Sequence, residues 1–160
     1  MVFRRKLLLV TFLIIAVVFA AIAASYWLSL NQKSEGSFGI FLLENNTLVI
    51  SDQDIVWYNM TSHEIKLTQA GADKIEALHV SVFGSQFMVK IGGKEIYNGT
   101  FMTPISSVGL PPSDTVIETI VQDNTIRIQI GYPSSQPTGE DPRINSEIFN
   151  HFQNINKLVQ

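Results

Sequence analysis

"HEIKLTQAGADKIEALH", residues 63 to 79, decides how the chain is read. Its first five residues alternate, which puts Ile65 and Leu67 on one face of a strand. Thr68 follows, and its hydroxyl oxygen suits an N-cap that accepts a hydrogen bond from a first-turn amide. Ala72, Ile75 and Leu78 then recur at helical spacing. Gly71 in that first turn lowers helicity by roughly 1 kcal/mol against alanine, a cost that is tolerable where another backbone packs closely. A strand running into a capped helix predicts a domain of the α+β class.

Strand-like runs surround it. "FGIFLL" (38–43) and "TLVI" (47–50) flank the turn-like "ENN", and "DIVWYNM" (54–60) is β-branched and aromatic. "QFMVKIGGKEIYNGTF" (86–101) reads as a hairpin, because a Gly-Gly loop supplies the positive φ values of a two-residue turn. With Gly92-Gly93 as the loop, Lys90 faces Glu95 as a cross-strand ion pair, Val89 faces Ile96 and Met88 faces Tyr97. Phe87, Val89 and Ile96 then point inward. "TPISSVGLPPSDT" (103–115) is punctuated as a loop, and "TVIETIV" (115–121) fits a strand or a short helix. "TIRIQIGY" (125–132) alternates with three isoleucines on one face. After a linker at 133–141, Asp141 is a candidate N-cap, with Pro142 at the first helical position. Ile144, Ile148, Phe152, Ile155 and Val159 form the stripe of an amphipathic helix over 142–159. Its own domain or a partner's groove could cover that stripe.

The front of the chain differs in kind. Residues 7 to 30 contain no charged residue. As a helix they span about 36 Å at 1.5 Å per residue, against a hydrocarbon core of about 30 Å. Arg4, Arg5 and Lys6 precede this candidate transmembrane helix as a cytoplasmic tip (1–6). Tyr26 and Trp27 mark the far interface, and 31–37 is a polar linker. The rival reading is a cleaved signal peptide ending near Ala21-Ile22-Ala23. Both readings put residues 38–132 outside the cytoplasm, with the membrane as a partner of the N-terminal helix. Beyond Lys33 the chain carries seven Lys and Arg against fourteen Asp and Glu, a balance of −7 that excludes nucleic acid as a partner. Asn45, Asn59 and Asn98 head Asn-x-Thr sequons, candidate glycosylation sites in an exterior chain. Asn98, on the face of Val89 in the hairpin as registered above, is the least suited of the three.

Motifs of catalysis are missing. The chain has no cysteine, so thiol chemistry and cysteine-held metals are excluded and the domain must rest on an apolar core. No HExxH, GxSxG, P-loop or GxGxxG occurs. His63 and Glu64 point to opposite faces of a strand. His79 ends a helix, and His151 sits beside the last stripe. Asp52 and Asp54 could share one side of a turn and hold a cation weakly, but turn formation explains them without one. These residues predict no cofactor, no metal and no enzymatic activity.

Asp54-Ile55, the Thr68-x-x-Gly71-Ala72-x-Lys74 segment and the Gly92-Gly93-Lys94 turn together resemble the first extracytoplasmic domain of SecD-type protein-export subunits. In that family a Thr/Ser…Gly-Ala…Lys segment links strand to helix, and a hairpin with a DGK turn follows. The resemblance covers about residues 54–107, and the family's proline after the hairpin is displaced here to Pro104. It implies a small ferredoxin-like sheet-and-helix module that touches polypeptides outside the membrane. Motor activity, which in the family rests on several membrane helices, does not carry over. The expected function is a single-pass, membrane-anchored interaction module, accessory to protein export or envelope assembly. The alternative is an anchored hydrolase or ligand sensor that uses Asp52, Asp54 or a histidine in a pocket.

Overall fold

Nine strands in one mixed sheet carry the fold, in the order β2-β1-β5-β6-β7-β8-β4-β3-β9. They are β1 (Phe38–Leu42), β2 (Leu48–Ser51), β3 (Ile55–Asn59), β4 (Glu64–Leu67), β5 (Ser85–Ile91), β6 (Lys94–Met102), β7 (Leu110–Glu118), β8 (Thr125–Tyr132) and β9 (Leu158–Val159). Among the described residues, two short helices, α1 (Gln69–Glu76) and α2 (Ser146–Asn154), and a 3-10 turn at Asp52–Asp54 complete the elements. This computed structural model describes residues 36 to 160. The candidate span at 7–30 and its flanking Arg4, Arg5, Lys6, Tyr26 and Trp27 lie outside the described residues. Among the described residues no helix is long and apolar enough to cross a membrane.

The α+β, ferredoxin-like expectation is therefore corrected: the described chain is mostly sheet, with helices of 8 and 9 residues. Two misread segments account for much of the difference. The first is the second half of the expected 103–115 loop: residues 103–109 are a loop, but 110–115 with Pro111 and Pro112 belong to β7. Leu110 lies opposite Tyr132 and Thr115 opposite Ile130, five steps along β7 against two along β8. Pro111 and Pro112 fall in that irregular stretch, where a missing N–H costs no ladder bond. The second is the tail. Asn145, not Asp141, caps α2, its Oδ1 accepting from the amides of Glu147 and Ile148. Asn156 then takes φ 57°. Lys157 N donates to Phe152 O and Asn156 N to Gln153 O, a left-handed C-cap that stops the helix and turns the chain into β9.

Connectivity forces the sheet to curl. β2 lies at one edge, yet three residues join it to β3, next to the other edge. β8 pairs residues 125–127 with β4 and residues 128–132 mostly with β7, so the sheet bends along that strand. α2 plugs the space between the converging edges. The Phe152 ring lies 4.9 Å from Phe38 and 5.0 Å from Tyr58, and it is fully buried with Ile148 nearby at 2% exposure. Ile40, Ile50, Ile65, Phe87, Phe101 and Ile117 fill the rest of the same core.

The hairpin turn forms as expected, with Gly92 at φ 56° and Gly93 at 80°. Lys90 lies opposite Glu95, but a bulge follows and Val89 faces Tyr97 instead of Ile96. The bulge aims the larger Tyr97 side chain at the core, leaves Ile96 half-buried and turns Asn98 outward. No ion pair joins Lys90 to Glu95. Lys90 Nζ reaches Asn46 Oδ1 at 2.7 Å and sits over the Phe41 ring, while Glu95 accepts from Asn98.

Candidate functional site

Asp52 and Asp54, paired in the sequence, are pulled apart by the turn they form. Asp54 faces α1, where Lys74 Nζ contacts both its oxygens at 2.8 and 2.9 Å and Ser51 donates from N and Oγ. Burial pushes the Asp54 carboxyl up, but these hydrogen bonds outweigh it and hold the group below the usual carboxylate range. Asp52 faces the other way. Its Oδ2 accepts from Phe38 N at 3.0 Å, and its Oδ1 lies 2.7 Å from His151 Nε2. One carboxylate thus meets a histidine, but Asp54 does not join them. Among the described residues no three His, Asp or Glu side chains converge as metal ligands. The two groups anchor the 3-10 turn to α1, β1 and α2.

His63 is the least expected of the polar residues. It is 6% exposed and takes φ 54° at the tight β3–β4 turn. Its Nδ1 lies 2.8 Å from the Tyr58 hydroxyl, itself 1% exposed. Burial, reinforced by the nearby Arg143 guanidinium, holds the imidazole below its ordinary 6.5. Burial likewise pushes the Tyr58 hydroxyl up. Arg143 forms a closed fork with Asp141, through Nε to Oδ1 at 2.9 Å and Nη2 to Oδ2 at 2.6 Å, and its Nη1 reaches Ile128 O. This fork holds the Asp141 carboxyl low and ties the 133–145 segment to β8. A groove of about 360 Å³ opens here, lined by His63, Arg127, Ser134, Ser135, Asp141 and Arg143 among others. A shallower hollow of about 500 Å³ crosses the face of β4 and β8 near Trp57. Of its charged members, Glu64 pairs with Arg127 and Glu118 accepts from the Gln129 amide.

A different surface feature lies at the ends of β5 and β6. Phe83 is 76% exposed and Ile105 80%, with Val82 beside Phe83 at 45%. Ser106 Oγ donates to Val82 O at 2.7 Å, so the 81–84 and 103–107 loops stand together, each carrying an exposed apolar side chain. Strand register places it at the end of β1 remote from Phe38, because Phe38 pairs with Ile91 and Leu42 with Phe87. Sequence reading placed 103–115 in a loop but gave Ile105 no role, and it passed over 81–84. Their signal was an apolar residue directly beside a turn former, Phe83 before Gly84 and Ile105 after Pro104.

The sequons sit at the surface to different degrees. Asn45 and Asn98 are exposed, and the bulge overturns the expectation that Asn98 shares a face with Val89. Asn59 is half-buried, and its Oδ1 accepts from Thr61 N and Ser62 N. His79 is exposed beyond the end of α1. Comparison of the chain with protein-family models, with curated proteins and with solved structures finds no match in any of the three.

Proposed function

We propose that this chain is a membrane-anchored interaction module whose sheet domain lies outside the cytoplasm and contacts another polypeptide through the Val82–Phe83–Ile105 patch. The observation that carries this reading is the patch itself. Two loops joined by a hydrogen bond hold two large apolar side chains at more than three-quarters exposure. Covering a residue such as Phe83 or Ile105 is worth about 1.5 to 3 kcal/mol, so the pair supports a weak and reversible contact. A polypeptide suits the patch better than lipid. The chain enters the domain at residue 36, beside the Gly92 turn through the Gly92 N to Ser37 O bond, at the opposite end of the β1–β5–β6 ribbon. The basic cluster at Arg4, Arg5 and Lys6 and the apolar run at 7–30 support a cytoplasmic N-terminus. The SecD-like segment supports export or envelope assembly as the setting.

The test places a photo-crosslinking amino acid at position 83, with position 140 as an exposed control, in intact cells that make the protein. A discrete polypeptide adduct from position 83, lost in the Ile105→Ser variant and digested by protease added outside, is the expected result. Adducts to lipid alone, equal adducts from position 140, or full protease protection would overturn the reading.

A further inference from the structure

We propose that the groove over His63 is a binding site for a small organic carboxylate. Tyr58 is buried and its oxygen has no hydrogen-bond partner among the described residues but His63 Nδ1, so its hydroxyl donates to that nitrogen. His63 is then neutral with its hydrogen on Nε2, the tautomer the network assigns. No partner for Nε2 occurs among the described residues, and none of their buried side-chain polar atoms is left unpaired. The Nε2–H of this 94%-buried residue therefore opens to solvent, and the opening is the groove that His63 lines.

The remaining lining is short of free carboxylates. Asp141 is its one carboxylate, and both its oxygens are taken by the Arg143 guanidinium, with Oδ1 also accepting from Arg143 N. Arg127 gives one nitrogen to Glu64 and keeps its other N–H groups, on a side chain 57% exposed. Ser134 and Thr61 add exposed hydroxyls at the rim. The remaining N–H groups of a planar guanidinium and a fixed imidazole N–H in one lining suit the two oxygens of a carboxylate. Arg127 and Arg143 are each matched by one carboxylate, Glu64 and Asp141, so the site offers N–H donors without a surplus of positive charge, too little for a phosphate dianion. A volume of about 360 Å³ falls within the range of roughly 300 to 1,000 Å³ found for small-molecule sites.

The chain has three histidines, so the full-length protein in detergent micelles, labelled at histidine, gives three sets of imidazole signals that a His63→Gln variant assigns. Succinate is titrated at neutral pH, with succinamide as its uncharged counterpart. The expected result is a saturable shift of the His63 signals with succinate, little with succinamide, and affinity at least about tenfold weaker in the Arg127→Gln variant. Unmoved signals of His79 and His151 report that the variant is folded. Equal responses to the two probes, no saturable response to succinate, or unchanged affinity in the folded Arg127→Gln variant would overturn the proposal.

Discussion

Gly71 illustrates how a single residue can be right for a reason invisible in its own helix. An added Cβ would lie 2.8 Å from Asp54 O and 3.0 Å from Asp54 Cβ. That carbonyl also accepts from Thr68 N at 2.8 Å, so it cannot retreat without breaking the junction of the 3-10 turn with α1. In an open helix, Gly→Ala stabilises by about 1 kcal/mol. Here Gly71→Ala is expected to destabilise by about 1 to 3 kcal/mol, as overpacking does, and denaturant melts decide the sign. The sequence announced both the Thr68 cap and the need for a close backbone, because capping is local chemistry. It could not announce that the backbone belongs to Asp54. Nor could it separate the fates of Asp52 and Asp54, since their partners, His151 and Lys74, are 99 and 20 residues away.

The C-terminal helix shows where periodicity misleads. Five apolar residues at helical spacing predicted one stripe over 142–159, yet α2 occupies only Ser146–Asn154. Ile144 lies before the Asn145 cap and is 69% exposed, whereas Val159 belongs to β9. The two asparagines end the helix by side-chain capping and by a left-handed backbone, and a hydrophobic pattern registers neither. Phe152→Ala is therefore expected to cost about 3 to 5 kcal/mol, while Ile144→Ser changes stability by less than about 0.5 kcal/mol. Equal effects in thermal melts would restore the continuous stripe. The β5–β6 hairpin was readable to its turn because Gly-Gly dictates positive φ. It was unreadable past Lys90, where the bulge answers to the burial of Tyr97 in a core assembled from distant strands.

For the whole molecule, protonation sets a common direction. His63 is held below 6.5, so the folded state binds fewer protons there than the unfolded chain does. Its contribution is complete above about pH 6.5 and is lost as pH falls towards the lower folded value. Asp54, Asp141 and Glu64 are held below their ordinary 3.8, 3.8 and 4.5, the last by Arg127 and Ser62, so their contributions fail at still lower pH. Stability should fall in two steps on acidification. His63→Gln is expected to flatten the upper step and leave the lower one, as melting temperatures measured from pH 8 to pH 3 will test. The curled sheet was beyond the sequence because nothing in a strand's own pattern names its neighbour. β1 pairs with β5 across a gap that holds three strands and α1.

The position of Lys157 has a consequence in time. Its Nζ donates to Asp52 O at 2.6 Å and to Ile55 O, contacts separated by 105 and 102 residues of chain. Tyr58 N and Met60 N bind Lys157 O and Val159 O beside them. The β1–β2 and β5–β6 hairpins can form as soon as they are synthesised, since their contacts are local. The gap that α2 and β9 fill cannot close until residues 148–159 have left the ribosome. Until then Phe38 and Tyr58 face solvent, and the nascent chain is a client for whatever holds apolar segments in transit. A ribosome that stalls before Ile148 releases a polypeptide with its hairpins made and its interior open, the kind of product that quality-control proteases remove.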